Sequence, residues 1–326
     1  MIKEENKRNI EMIKKTLGSI FMEKLQDPNV IEIMCNSDGS LWIDELGVGM
    51  SKVGSINPYN VQAATNVIAS MLKITATKEM PIIEGEFPLD NSRFAAQLPP
   101  VVASPTFALR KKASLVFTLE NYVEKNMMTE HQKEIIKEAI REHKNIVIVG
   151  GTSSGKTTLT NASIDYMSKI ANEERIIIIE DTGEIQCKAV NSVLFHTTVH
   201  TSITDLLKTT LRMRPDRIII GEVRDHTALD LLDAWSTGHP GGISTIHANN
   251  SLQALDRIEG LVSRHNNAPD DKKSVISNAV DLIINIRKTG LNRKVEEILE
   301  LEGYDKNKNE YIFNIMFHCH KTYIVS

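Results

Sequence analysis

Gly150, Gly151, Thr152, Ser153, Ser154, Gly155, Lys156, Thr157 and Thr158 follow directly on the apolar run Asn145–Val149, and their types and spacing point to phosphate chemistry. A strand that ends in a glycine-rich turn and opens a helix aims several backbone N–H groups into one concavity, at the positive end of the helix dipole. A polyphosphate fits there. Gly150 and Gly155 let the chain take conformations that a β-carbon blocks and bring the backbone close to the anion. Lys156 then reaches the β- and γ-phosphates, and the Thr157 hydroxyl can ligate Mg²⁺. The ligands implied are a nucleoside triphosphate and Mg²⁺.

In a parallel α/β sheet, ligands sit beyond the carboxyl ends of the strands, so polar residues directly after each strand matter most. Ile176 to Ile179 is followed by Glu180, Asp181, Thr182, Gly183 and Glu184. Arg217 to Ile220 is followed by Gly221, Glu222, Val223, Arg224 and Asp225, and Ile243 to Ile246 by His247. Each also has an ordinary reading. An acidic residue after a strand often caps the next helix, a role open to Asp181 and Asp225, and a lone histidine is more often packed or solvated than catalytic. Glu222 carries the most weight, because it ends a buried run at the height of the phosphates, where a base can orient an attacking water.

These residues need a scaffold that brings strand ends together. From about 129 onward the pattern alternates, with strands at 145–149, 175–180, 217–221 and 243–246 and helices at 156–170, 202–211, 225–236 and 251–262. Continuous apolar runs suit strands buried on both faces, which predicts an α/β nucleotide-binding domain with a largely parallel core. Three final strands, near 281–287, 294–302 and 310–316, read as an antiparallel extension. Thr129 is placed to cap a helix whose residues Ile135, Ile136 and Ile140 share one face. Residues 1–117 read as a smaller α+β domain, with helices at 2–26 and 58–75, a hairpin around Ser37–Gly39, and strands near 92–98 and 105–111. The polar stretch 118–128 reads as the linker, and 129–326 as the nucleotide-binding domain.

The phosphate loop, the acidic box RIIIIEDTGEI, the segment LRMRPDRIIIGEVRD and the histidine box TGHPGGISTIHAN occur in an order and at spacings similar to the secretion ATPases of type II and type IV secretion, conjugation and type IV pili. The segment from Asp230 to Glu259 most resembles the TrbB-like conjugative-transfer branch. The likeness is strong over the whole C-terminal domain and looser before it, where it rests on Arg93 and Arg110. It implies a RecA-like ATPase domain in a homohexameric ring, using ATP and Mg²⁺, that couples hydrolysis to assembly or transfer at inner-membrane components of the apparatus. By motif position, Glu222 would be the catalytic carboxylate and His247 would sense the γ-phosphate. Glu180 and Glu184 would organise metal and water, and Arg93 and Arg110 would approach the phosphates as arginine fingers do. Gly221 stands where P-loop proteins usually have an aspartate, a departure these ATPases share.

Composition sets limits on this reading. The 326 residues carry a formal charge of −4 with 25% charged and 41% hydrophobic residues, as in a soluble globular protein of two domains. With no aromatic-basic cluster, stable nucleic-acid binding is not expected, which weighs against a RecA-like translocase or helicase. A guanine-reading Asn-Lys-x-Asp motif is absent, and a type II secretion or pilus motor remains the nearest alternative. Three widely spaced cysteines fit a reducing compartment. A charged N-terminus and the lack of a bilayer-length apolar run predict a cytoplasmic protein, able to associate peripherally with the inner membrane. The tract His318, Cys319, His320 reads as an alternating terminal strand rather than a metal site.

Overall fold

The chain divides into units of Met1–Leu115, with one hydrophobic core, and Val116–Ser326, with two core clusters among the described residues. The structure is a computed structural model that describes residues 2–112, 117–171, 173–198, 200–290 and 292–318.

In the first unit, helix α1 (Ile2–Gln26), strands β1 (Val30–Cys35), β2 (Ser40–Glu45) and β3 (Gly49–Ser55), helix α2 (Pro58–Met71), and strands β4 (Ile82–Glu86), β5 (Arg93–Gln97) and β6 (Thr106–Arg110) follow in order. The strands form one antiparallel sheet in the order β3-β2-β1-β6-β5-β4. Alternation sends Phe94, Ala96, Phe107 and Leu109 into the core, while Arg93 and Arg110 lie at the outward positions. Ile13, Leu17 and Phe21 of α1 and Val61 and Ile68 of α2 complete that core, with the Phe21 ring edge-on to Phe87 and Phe107 at 5.8 Å. Strands β3 and β4 lie outside the sequence expectation. β3 is an edge strand with no fully buried position, so burial leaves no mark on its composition.

The second unit takes in the whole stretch 118–128 expected to be a linker. Thr118 and Asn121 form a reciprocal capping box that starts helix α3 (Leu119–Glu124), and Leu119, Tyr122 and Met128 are buried in the core of this unit. Thr129 caps helix α4 (Glu130–Arg141), with Ile135, Ile136 and Ile140 buried, as the sequence predicts. There follow β7 (Ile146–Val149), α5 (Lys156–Ile170), β8 (Ile176–Glu180), β9 (Ser192–His196), α6 (Ile203–Thr210), β10 (Arg217–Ile220), α7 (Thr227–Ser236), β11 (Ile243–Ile246), α8 (Ser251–Val262), α9 (Lys272–Ala279), β12 (Leu282–Thr289), β13 (Asn292–Asp305) and β14 (Glu310–His318).

These strands make one eight-stranded sheet in the order β14-β13-β12-β7-β11-β10-β8-β9, parallel from β12 to β9. Only β13 and β14 are antiparallel, so the expectation of a three-strand antiparallel extension is corrected at its first member. β12 pairs in parallel with β7, and its start, LIINI, is buried at every position, the mark of a strand covered on both faces. Every residue of β7, β8, β10 and β11 is likewise buried, which locks four carboxyl ends side by side. At the opposite end of β10, the fully buried Arg217 pairs with Glu174 and donates to the carbonyls of Ile140 and Gly241 at 3.1 and 3.3 Å. Cys319 and His320 lie outside the described residues. Among the described residues, no group of three or more potential ligands could hold a metal ion and no helix is long and apolar enough to cross a membrane.

Candidate functional site

The spatial order β7-β11-β10-β8 dictates which side chains can meet. Their carboxyl ends carry the loop Gly150–Gly155, His247, Glu222 and Glu180 in that sequence across the sheet. Four segments spread over nearly a hundred residues become neighbours because hydrophobic burial fixes the register of the strands.

The loop after β7 has the shape that its residues predict. Gly155 sits at φ +100° as the first cap of α5. A β-carbon at Gly150 would fall 2.2 Å from the Ile286 carbonyl oxygen and 2.5 Å from the Ser154 hydroxyl, so no other residue fits there without moving backbone. Lys156 is buried and donates to the carbonyls of Gly150 and Gly151 at 3.0 and 3.1 Å, and the N–H of Ser154 also donates to Gly151 at 3.3 Å. The donors meant for an anion are thus held on the loop's own backbone. The Ser154 hydroxyl is buried without a hydrogen-bond partner among the described residues, which fits a ligand-binding cradle. Gly151, Thr152 and Ser153 are exposed, and Thr158 is half-buried on the first turn of α5.

Lys156 also lies 3.2 Å from His247 Nδ1, and His247 Nε2 lies 3.0 Å from Glu222 Oε1. An ammonium has three protons and no acceptor, so the imidazole must accept at Nδ1 and carry its proton on Nε2, which lies beside the Glu222 carboxylate but off the line of a hydrogen bond to Oε1. His247 is therefore neutral in this arrangement. Burial pushes its pKa below the usual 6.5 and the Lys156 charge pushes the same way, outweighing Glu222. For Glu222, burial acts to raise the pKa. The Arg224 guanidinium, donating at 2.6 Å, with His247 and Lys156, outweighs it and holds the carboxyl below the ordinary range. Glu222 is a partly buried carboxylate that stays ionised.

On the other side of Lys156, the Thr157 hydroxyl donates to Glu184 Oε2 at 3.3 Å. The buried Glu180 accepts the backbone N–H groups of Glu184 and Ile185 at 2.9 and 3.0 Å and so shapes the turn that presents Glu184. Asn161 of α5 ties the same turn from below, donating to the Glu184 carbonyl at 3.1 Å and accepting from the N–H of Gln186 at 3.0 Å. A β-carbon at Gly221 would stand 3.0 Å from that of Glu180, so the absence of a side chain there makes room for the buried carboxylate. Asp225 accepts from the N–H of Thr227 at 3.0 Å at the start of α7, whereas Asp181 caps no helix and instead accepts from the Thr197 hydroxyl at 3.0 Å.

Arg93 and Arg110 belong to the first unit, where they are directly opposite each other in the β5–β6 register. Glu86 flanks Arg93 across β4 and Glu32 flanks Arg110 across β1. Two arginines beside the candidate site had no role in the sequence reading. Arg224 was named there among the residues that follow β10, two positions after Glu222, a spacing that returns a side chain to the same side of an extended segment. Arg293, which donates from Nε to the Ser153 carbonyl at 3.3 Å, lies 140 positions from its partner and left no local signal.

The chain matches the family described as type II/IV secretion system protein over residues 14–321. The conjugal transfer protein TrbB of Rhizobium radiobacter is 45% identical over 300 residues, covering 92% of each chain. The type IV secretion system protein VirB11 of Bartonella henselae is 29% identical over 335 aligned positions, covering 89% of this chain and 92% of its own. Among solved structures, the Legionella pneumophila ATPase DotB has a TM-score of 0.62 at 17% identity, covering 88% of this chain and 80% of that one, a likeness of fold.

Proposed function

The chain belongs to the type II/IV secretion system protein family, and on that premise we propose that it is the ATP-hydrolysing motor of a conjugative or type IV transfer apparatus. The observation that carries the chemistry is the contact line Glu222, His247, Lys156, which joins a carboxylate, a neutral imidazole and an ammonium at adjacent strand ends. The 45% identity to a conjugal transfer protein carries the choice of apparatus.

In this reading, Lys156 exchanges the carbonyls of Gly150 and Gly151 for the β- and γ-phosphate oxygens of ATP, and the loop N–H groups take the same anion. Thr157, with Glu184 beside it, would hold Mg²⁺, which supplies neutralisation of phosphate charge when bound. Glu222, kept ionised by Arg224, orients the attacking water and accepts its proton. His247 loses its Lys156 contact when the lysine moves, so its freed Nδ1 reports the arrival of the terminal phosphate. Glu180 supports the Glu184 turn.

Arg93 and Arg110 act as the cationic fingers. Like charges placed directly opposite in an antiparallel pair repel; Glu86 and Glu32 on the neighbouring strands offset part of that repulsion, and an anion between the arginines relieves the rest. The ring is a homohexamer that works at the cytoplasmic face of the inner membrane, against membrane components of the apparatus, without stable binding to nucleic acid. The test is complementation. In a conjugative donor whose own motor gene is deleted, the wild-type chain restores plasmid transfer and Lys156→Ala does not. Restoration of type II secretion or of pilus movement instead would assign the chain to the sister branch.

A further inference from the structure

The β12–β13 hairpin is packed against the outer side of the phosphate loop. Asn285 of β12 pairs with Val149 at the end of β7, and the Ile286 carbonyl oxygen stands 2.2 Å from the place a Gly150 β-carbon would take. Arg293, at the start of β13, lays its side chain along the loop, with Cδ 3.0 Å from where a Gly155 β-carbon would be. Its Nε donates to the Ser153 carbonyl at 3.3 Å.

Ser153 has φ +56°, the left-handed region that a residue with a β-carbon enters only at an energetic cost. Such a conformation persists only where the surroundings over-determine it. A trans peptide points its C=O and N–H in opposite directions. The guanidinium that holds the Ser153 carbonyl outward therefore turns the Ser154 N–H inward, onto the Gly151 carbonyl where Lys156 Nζ also rests. That N–H is one of the donors a phosphate would meet.

We propose that Arg293 is a positioning residue of the phosphate site. It clamps the Ser153–Ser154 peptide from the β12–β13 hairpin and so keeps the Ser154 N–H on the inner side of the loop, where it can exchange the Gly151 carbonyl for a phosphate oxygen. The inference rests on the reading of Gly150–Thr157 as the nucleotide site. It makes Arg293 act on the phosphates through the loop, with no part in reading base or sugar.

Titration calorimetry of the full chain with ADP and, separately, with inorganic tripolyphosphate tests this. A charged donor to a carbonyl at a partly exposed position supports about a tenfold weakening of both ligands in Arg293→Ala. Glycine takes a left-handed φ without penalty, so Ser153→Gly added to Arg293→Ala recovers part of the lost affinity. Thermal melting of each variant shows that it is folded. Unchanged affinity in Arg293→Ala overturns the proposal, as does loss of ADP binding with tripolyphosphate binding intact. Weakening of both ligands without recovery in the double variant also overturns it, in favour of direct contact with phosphate. If the wild-type chain binds neither ligand, the reading of the loop itself fails.

Discussion

Replacement of His247 by alanine separates nucleotide binding from hydrolysis. The imidazole makes two contacts with charged groups, 3.2 Å to Lys156 and 3.0 Å to Glu222, at a side chain 44% exposed. Hydrogen bonds to charged groups contribute about 1.5–3 kcal/mol when buried, and exposure lowers the one to Lys156 to about 1 kcal/mol. The Lys156 contact must break before the lysine reaches a phosphate, so its removal returns up to about 1 kcal/mol to binding. ADP should then bind with unchanged or up to about fivefold higher affinity. Hydrolysis responds in the opposite way. Without the imidazole beside Oε1, Glu222 keeps its hydrogen bond from Arg224 and swings toward it, away from the line to the phosphates. A misplaced base loses at least the lower end of general-base catalysis, about a hundredfold in kcat. Calorimetry with ADP and steady-state phosphate release measure the two quantities on one preparation. A weakened ADP affinity with kcat unchanged would refute the tautomer and the role derived from it.

Acidification should act through the same imidazole. Because the folded pKa of His247 lies below 6.5, the unfolded chain binds a proton that the folded chain refuses between the two values. Its contribution to stability is therefore complete above about pH 6.5 and declines as pH falls through that window, which melts in a pH series would follow. Since kcat/KM reports groups of the free enzyme, it should fall with an apparent pKa below 6.5, and a rise on acidification would contradict a neutral His247. Arg217→Met strands the Gly241 carbonyl, leaves that of Ile140 with the His143 N–H at 3.4 Å, and leaves Glu174, which is partly exposed and can be rehydrated, with His143 alone beside it among the described residues. About 3 kcal/mol of stability should be lost, or about 6–10 °C in Tm, with ADP affinity of the folded protein unchanged. Gly150→Ala should abolish detectable ADP binding, because its β-carbon meets backbone at 2.2 Å, and calorimetry on the folded variant checks this.

The site was legible because its parts sit at the ends of buried strands. Runs such as IIIIE of β8 and RIII of β10 are apolar over their whole length, and the polar residue that ends each one stands out. The phosphate loop carries its own spacing. Segments that fold by partial burial were harder to read. FTLENYVEKNMM is mostly polar and looks like a linker, although Leu119 and Tyr122, three apart, share the buried face of α3. The capping pair Thr118 and Asn121 was the available signal. β12 was grouped with the two antiparallel strands that follow it, yet its unbroken start, LIINI, marks it as a central strand. β9, with the half-exposed sequence SVLFH at the sheet edge, gave no periodicity to detect. Arg293 reaches the loop only through tertiary packing, which no window of sequence contains.

In the proposed function, Glu222 performs hydrolysis at a phosphate site held by Lys156. Single-turnover phosphate release from MgATP, measured beside ATP binding for Glu222→Gln, tests it most directly. Glutamine preserves the shape and the contact with His247 but cannot accept a proton. ATP should bind Glu222→Gln about as tightly as wild type, with phosphate release slowed by at least about a hundredfold. Release at the wild-type rate from a variant that binds ATP normally would contradict the claim and move the catalytic base elsewhere.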